Sequence, residues 1–335
     1  MVLFHEEFSL LINEKSCLAL TPRKCPLCGL SNSITLFKDI NRREGLPVAA
    51  TLVKCRECGM NYLNEAPEAH VLMQLYQDGF VDRVLTDPEQ VEPVPRTGEE
   101  TSYLNPLSRI NGLLRGHPHD WPDNGDKNSS IFDFGCYTGD KLMRWYQRGW
   151  QIGGIDLNRQ AIEVARRRFP EGKFWCGDLL SLHIPDRFDF IRADNVIEHL
   201  PDPVAYLKVL LNLLKPNGWL RVFVPNGVAL STRLIGRYST MYWVPFHVNL
   251  FSPKTLERAL NASGLVNIQC KSFTPIGSWT WTQRQMILRP GFNRRPCTWL
   301  DRIIRSLSLL NYPGETLTQW LGVGEELIGT AQKRE

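Results

Sequence analysis

Ile131-Phe132-Asp133-Phe134-Gly135-Cys136-Tyr137-Thr138-Gly139 decides the fold of this chain. Its first four residues read as a short buried strand, and the Gly-x-x-x-Gly turn that follows opens a helix running to about Arg148. Glycine at 135 and 139 lets backbone N–H groups close on a ligand at the helix N-terminus. Asp133, placed just before the turn, suits a cationic ligand better than a pyrophosphate. A dinucleotide-binding turn has the spacing Gly-x-Gly-x-x-Gly instead.

Outward from this turn the chain alternates strand and helix signals, the pattern of an open parallel sheet covered on both faces. Gln151–Ile155 reads as the second strand and ends at Asp156. Gln160–Phe169 is helical, Phe174–Cys176 is a third strand, and Asp178 follows it. Phe188–Ala193, the helix Val204–Leu214, the turn at Lys215-Pro216-Asn217-Gly218 and the strand Trp219–Val224 come next. A helix over Thr255–Ser263 and strands over Val266–Phe273 and Glu326–Gln332 complete seven strands. Open sheets of this kind bind ligands beyond the carboxyl ends of their strands. Asp156, 21 positions after Gly135, suits two ribose hydroxyls, and Asp178 suits an adenine amino group.

Ahead of this region, four of the nine cysteines form the pairs Cys25-Pro26-Leu27-Cys28 and Cys55-Arg56-Glu57-Cys58. A two-residue spacing aims both thiolates of a pair at one ion, and Gly29 and Gly59 accommodate the turns. Strand-like runs at Ser33–Ile40 and Val48–Lys54 lie between the pairs. The expectation is one structural Zn2+ held by Cys25, Cys28, Cys55 and Cys58, with no ligand position left open for catalysis. The division expected is a cysteine unit over 20–65, a helical and linker segment over 66–129, and the main domain over 130–335. In the middle segment a helix is read over about 68–77, a Pro-rich acidic linker over 78–102, and an amphipathic helix over Leu104–Leu114.

The motifs together resemble the class I S-adenosylmethionine-dependent methyltransferases. Asp133–Gly139 looks like their first motif. Gly154-Ile155-Asp156-Leu157, Gly177-Asp178-Leu179, Val196–Pro203 and Leu214–Gly218 resemble the later ones in order. Phe246–Pro253 is similar to a segment that small-molecule members carry after the fifth strand. The likeness, strongest to members with a preceding four-cysteine unit from polysaccharide and secondary-metabolite pathways, implies a seven-stranded, mostly parallel Rossmann-like sheet and S-adenosyl-L-methionine as cofactor. It assigns Asp133, Gly135, Cys136, Gly139, Asp156, Leu157, Asp178, Leu179 and Asn195 to the cofactor. His199 and His247 fall on the acceptor side as candidate bases, and Glu198 with His199 resembles pairs that hold a divalent ion in ubiquinone-pathway O-methyltransferases. Tyr137 departs from the family pattern, which has glycine there, and implies a reshaped pocket.

Composition bounds the rest. A net charge of +4 permits an anionic partner without demanding a dedicated nucleic-acid surface. The alternatives are an RNA methyltransferase, for which no obvious basic, aromatic-rich stripe is present, and a cofactor-binding protein without activity, which the departure at Tyr137 allows. The first twenty residues are too charged for a signal peptide and no apolar run reaches ~18 residues, so a cytoplasmic protein is expected; the resemblance implies a small-molecule acceptor. The segment Ser231–Asn249, with Arg233, Tyr242, Trp243 and His247, reads as one wall of an acceptor pocket, facing the helix Leu104–Leu114.

Overall fold

A computed structural model describes residues 20–40, 50–68, 71, 122, 125–242, 244, 246–274 and 317–335. The expected helix over Leu104–Leu114, the linker over 78–102 and nearly all of the helix over 68–77 lie outside the described residues, as does Trp243.

The cysteine region contributes five short strands: β1 (Leu20–Pro22), β2 (Ser33–Ile40), β3 (Ala50–Cys55), β4 (Asn61–Leu63) and β5 (Glu65–Pro67). The main sheet begins with β6 (Ser130–Phe134). It continues through a 3-10 turn at Asp140–Leu142, α1 (Met143–Gln147), β7 (Gln151–Asp156), α2 (Arg159–Arg168), β8 (Lys173–Cys176) and β9 (Phe188–Asp194). Then follow α3 (Pro203–Leu213), β10 (Leu214–Pro225), α4 (Leu230–Ile235), β11 (Asn249–Leu250), α5 (Pro253–Ala262), β12 (Val266–Phe273) and β13 (Glu326–Gln332). The expected helix after the glycine turn is thus split, and β10 starts at Leu214 because a register shift between Leu214 and Trp219 absorbs the turn.

Seven strands pair in the order β12-β13-β10-β9-β6-β7-β8. Only β13 runs against its neighbours β10 and β12; β10, β9, β6, β7 and β8 are mutually parallel. Chain order reverses direction between β6 and β9, and this switch point opens the crevice in which such sheets take ligands.

Local chemistry starts the helices. The Asn158 side chain accepts from Ala161 N at 2.8 Å at the head of α2, and Asp202 accepts from Ala205 N at 3.0 Å at the head of α3. Pro253 at the first turn of α5 leaves no helix bond unmade, and Ser252 and Thr255 cap it reciprocally, so this helix begins two residues before the sequence suggests. Such caps contribute about 1 kcal/mol each. One face of the sheet is covered by Leu207 and Leu210 of α3 with Leu256 and Leu260 of α5, all fully buried and each worth roughly 1.5–3 kcal/mol. The other face carries Trp145, Trp150, Ile162 and Phe169.

A second sheet, in the order β11-β4-β3-β2, joins the two regions. β11, from the stretch after β10, pairs antiparallel with β4 through Asn249 opposite Tyr62 and Leu250 opposite Asn61. Around it Leu52, Leu63, Tyr242, Val244, Val248 and Leu250 make a small apolar core of their own.

Candidate functional site

The turn after β6 is held open by its glycines. Gly135 and Gly139 have φ of 78° and 75°, in the left-handed region, and a Cβ at 135 would lie 2.5 Å from Val196 Cγ2. Tyr137 also has positive φ, 49°, which costs an L-residue roughly 1–2 kcal/mol. Its backbone N–H donates to Asp156 Oδ2 at 2.9 Å, while Asn158 N donates to Oδ1 at 2.9 Å. The Asp156 carboxylate is therefore fixed in direction at the end of β7. Burial raises its pKa, against the pull of the N–H groups of Asn158, Tyr137 and Leu157. Cys136 is buried beneath the turn, its Sγ lying 2.7 Å from where a Cβ on Gly154 would stand, so Gly154 is needed for close packing.

Asp133 lies wholly inside, beneath this turn, and neither of its carboxylate oxygens has a hydrogen-bond partner among the described residues. Arg192 Nε is 3.6 Å from Oδ1. Burial nonetheless pushes the Asp133 carboxyl up to about 6, Arg192 and Lys141 opposing. The register explains the pairing: Asp133 on β6 stands opposite Arg192 on β9, which stands opposite Arg221 on β10. Asp194, two residues on from Arg192, accepts from Arg192 Nη2 and from Arg221 Nη2 at 2.8 and 2.6 Å, and Lys141 Nζ is 3.8 Å away. Sequence reading missed this buried group. Its signal was present as arginines interrupting the apolar runs Phe190–Ala193 and Leu220–Val224.

The remaining cofactor candidates fall around the same crevice. Leu157 is half-buried and Leu179 fully buried, while Asp178 accepts from Tyr206 OH at 2.6 Å and from Ser181 Oγ at 3.3 Å. Asn195, at the end of β9, has φ of 58°, donates its N–H to Phe223 O at 2.7 Å and exposes its side chain.

Two histidines meet at the other flank. The rings of His199 and His247 lie 4.8 Å apart, centroid to centroid. His199 Nδ1 is 3.1 Å from Phe246 O and His247 Nδ1 is 2.7 Å from Met241 O, so each Nδ1 faces a carbonyl that can accept its proton, and the His199 ring also meets the Asn195 backbone. Burial, with His247 adding to it, lowers His199 to about 3, and burial lowers His247 to about 4. Beside them Glu198 is buried with both oxygens unpartnered among the described residues, and its Oε1 is 3.7 Å from His199 Nε2. Burial raises the Glu198 carboxyl well above the usual range. One donor atom from each of Glu198, His199 and His247 falls within 4.8 Å of the others.

The acceptor wall expected over Ser231–Asn249 is corrected in one respect. Tyr242 packs on Phe37 at 5.9 Å within the small second core, where burial raises its hydroxyl to about 12, so it serves packing there. His247 stands instead beside His199.

The four cysteines converge as their spacing requires. Cys25 and Cys58 have sulfurs 3.3 Å apart, Cys28 and Cys55 3.5 Å, and all four sulfurs lie within 4.8 Å of one another. Tetrahedral thiolate zinc with bonds of ≈ 2.3 Å separates sulfurs by roughly 3.8 Å, so the donor set fits that ion. Gly29 N and Gly59 N close the two turns onto the carbonyls of Cys25 and Cys55 at 2.8 and 3.1 Å.

Fold and site together define an α/β protein whose crevice, at the carboxyl ends of β6, β7 and β8, is bordered by a glycine turn and by Asp156 and Asp178, with Asp133 buried beneath the turn. A family profile described as a methyltransferase domain matches residues 109–270. The ubiquinone biosynthesis O-methyltransferase of Thiobacillus denitrificans is 33% identical over 183 residues, 51% of this chain and 78% of that protein. That of Idiomarina loihiensis is 26% identical over 218 residues, 60% of this chain and 89% of that protein. A solved S-adenosylmethionine-dependent methyltransferase from Archaeoglobus fulgidus has a TM-score of 0.44 at 18% identity, covering 68% of this chain and all (100%) of that one. The chain belongs to the class I S-adenosylmethionine-dependent methyltransferases. It is an enzyme of methyl transfer, and S-adenosylmethionine is its methyl donor. No helix among the described residues is long and apolar enough to cross a membrane.

Proposed function

We propose that the enzyme methylates an oxygen of a small or carrier-linked hydroxylated molecule, of polysaccharide or secondary-metabolite type, with His199 and His247 on the acceptor side. The pair of buried neutral imidazoles carries this reading, and the O-methyltransferase names of the relatives agree with it. Asp133, Gly135, Cys136 and Gly139 form the cradle. Asp156 takes the ribose, Leu157, Asp178 and Leu179 the adenine, and Asn195 the methionine portion. The sulfonium supplies a methyl that is already electrophilic. What the chain adds is alignment of the acceptor, which can lower a barrier by ~7–11 kcal/mol, and uptake of the acceptor's proton. A histidine kept neutral is ready to accept that proton. Its depressed basicity puts its contribution near the lower end of the ~10²–10⁴-fold range. Asp178 is partly committed to Tyr206, so its hold on adenine is shared with that hydroxyl.

Glu198 favours a second way of activating the hydroxyl. A buried carboxyl whose two oxygens have no hydrogen-bond partner among the described residues, beside two neutral imidazoles, is also the donor set of a divalent cation. Zinc in the four-cysteine unit belongs to the same proposal, as a structural ion distant in chemistry from the transfer step. The test is turnover on a panel of hydroxylated glycosides and phenols, with His199→Ala and His247→Ala beside the parent enzyme. The base reading expects both variants to keep S-adenosylmethionine affinity and lose turnover. Turnover that disappears on chelation and returns with Mg2+ or Mn2+ selects the cation instead, and full turnover in both variants rejects either.

A further inference from the structure

Arg23 stands two residues before Cys25, inside the four-cysteine region, yet its side chain reaches the far side of the sequence. Nη1 donates to Val248 O at 3.1 Å. Nη2 donates to Pro201 O at 2.8 Å and to Asn249 Oδ1 at 3.2 Å. Asn249 is fully buried and passes the connection on, its Nδ2 donating to Leu200 O at 2.6 Å and to Ile197 O at 3.3 Å. These bonds span separations of 225, 178 and 226 positions, and one planar group makes all three. The two chain segments they join are those that carry His199 and His247.

We infer that Arg23 is a positioning residue for methyl transfer, locking the His199 segment to the His247 segment from within the cysteine unit. The inference rests on the acceptor-side role proposed for the two histidines. Its geometric consequence is specific, because His199 Nδ1 bonds to Phe246 O across the very seam that Arg23 and Asn249 close. The cysteine turn aims Arg23: Arg23 N is tied to Asn64 O at 2.7 Å and Cys25 N to Leu30 O at 3.0 Å. The four-cysteine unit thereby becomes part of the acceptor side, which also explains why β11 pairs with β4. An arginine is required because its rigid fork can serve two carbonyls in different directions at once. A lysine offers one point charge.

The experiment uses the full chain labelled with 15N-histidine at one neutral pH, comparing the parent with Arg23→Gln and Arg23→Lys. His199→Asn identifies the resonance. The expected result in Arg23→Gln is loss of the fixed Nδ1–H signature of His199 and a fall in turnover of roughly 10- to 10²-fold, the scale of a misplaced catalytic group. S-adenosylmethionine affinity stays within about twofold, as for a distant independent site, and Arg23→Lys recovers part of both losses. An unchanged His199 signature overturns the inference, and so does a loss of cofactor affinity in step with turnover, which marks general disruption. If Arg23→Gln does not fold, the same comparison is read from Arg23→Lys. If the signature moves with Arg23 while His199→Ala and His247→Ala keep full turnover, the clamp stands and the histidine role falls.

Discussion

The two flanks of the crevice are built by opposite means. On the flank proposed for the cofactor, Asp133, Gly135, Tyr137, Gly139 and Asp156 come from two consecutive strands and the turn after the first, and backbone N–H groups fix the Asp156 carboxylate. On the flank proposed for the acceptor, His199, His247, Asn249 and Arg23 come from three segments far apart in the chain, tied by side chains to carbonyls. A local construction of the first kind survives changes elsewhere. An assembled construction of the second kind fails when any one of its segments loosens, so acceptor and cofactor functions should separate under mutation.

The largest expected effect comes from the cysteines. Structural zinc in small units contributes an apparent ~10–16 kcal/mol of folding energy. Stripping the metal with a strong chelator should therefore disorder β1–β5 and β11, measured by hydrogen exchange, and abolish turnover while β6 to β8 keep their protection. Equal loss of protection on both flanks would break the comparison, and absence of any thiolate-bound metal by elemental analysis would remove its zinc.

Next in size is Asp194→Ala. It removes the carboxylate that accepts from both buried arginines, Arg192 and Arg221, and breaking a buried ion group in this way costs roughly 3–5 kcal/mol. Denaturant unfolding checks this, and a loss under ~1 kcal/mol would show the cluster to be better hydrated than its burial implies.

A smaller effect is set by pH. Unfolded histidines protonate near 6.5, whereas burial holds folded His199 to about 3 and folded His247 to about 4. Between about pH 6.5 and 4 the unfolded chain binds protons that the folded chain refuses. Stability contributed by these groups is thus intact above 6.5 and declines as pH falls through that window, by up to ~1.4 kcal/mol per pH unit for each. Comparing the parent with His247→Gln isolates the term, since the buried carboxyls are common to both. The acid limb of turnover should likewise sit near pH 4 or below, and a limb near 6.5 would show that the histidines are solvated.

The smallest effect is that of Tyr137→Gly. The substitution relieves positive-φ strain of about 1 kcal/mol and keeps the backbone N–H that holds Asp156. Calorimetry should show cofactor affinity equal to the parent or slightly tighter. A clear weakening would make the Tyr137 ring a direct contact.

This contrast also governs what the sequence made legible. β12 and β13 are legible to the residue, and the glycine turn of 135–139 is legible because its spacing lies within a few positions. The pairing of Arg192 with Asp133 and Arg221 depends on the register of three strands, and no single strand displays it. β11 is two residues long and has no periodicity to read. Tyr242 looked like part of a pocket wall because aromatic and polar residues cluster around it. Its burial against Phe37 arises from β2, some two hundred positions earlier.

The central claim is that the turn after β6 and the end of β7 hold S-adenosylmethionine. Titration calorimetry of the cofactor into the parent and into Asp156→Ala tests it most directly. One molecule should bind per parent chain. The variant, still folded by circular dichroism, should lose at least the roughly 1.5–3 kcal/mol of hydrogen bonds to a charged group, a tenfold to hundredfold weakening. No binding to the parent, or equal affinity in both proteins, would contradict the account.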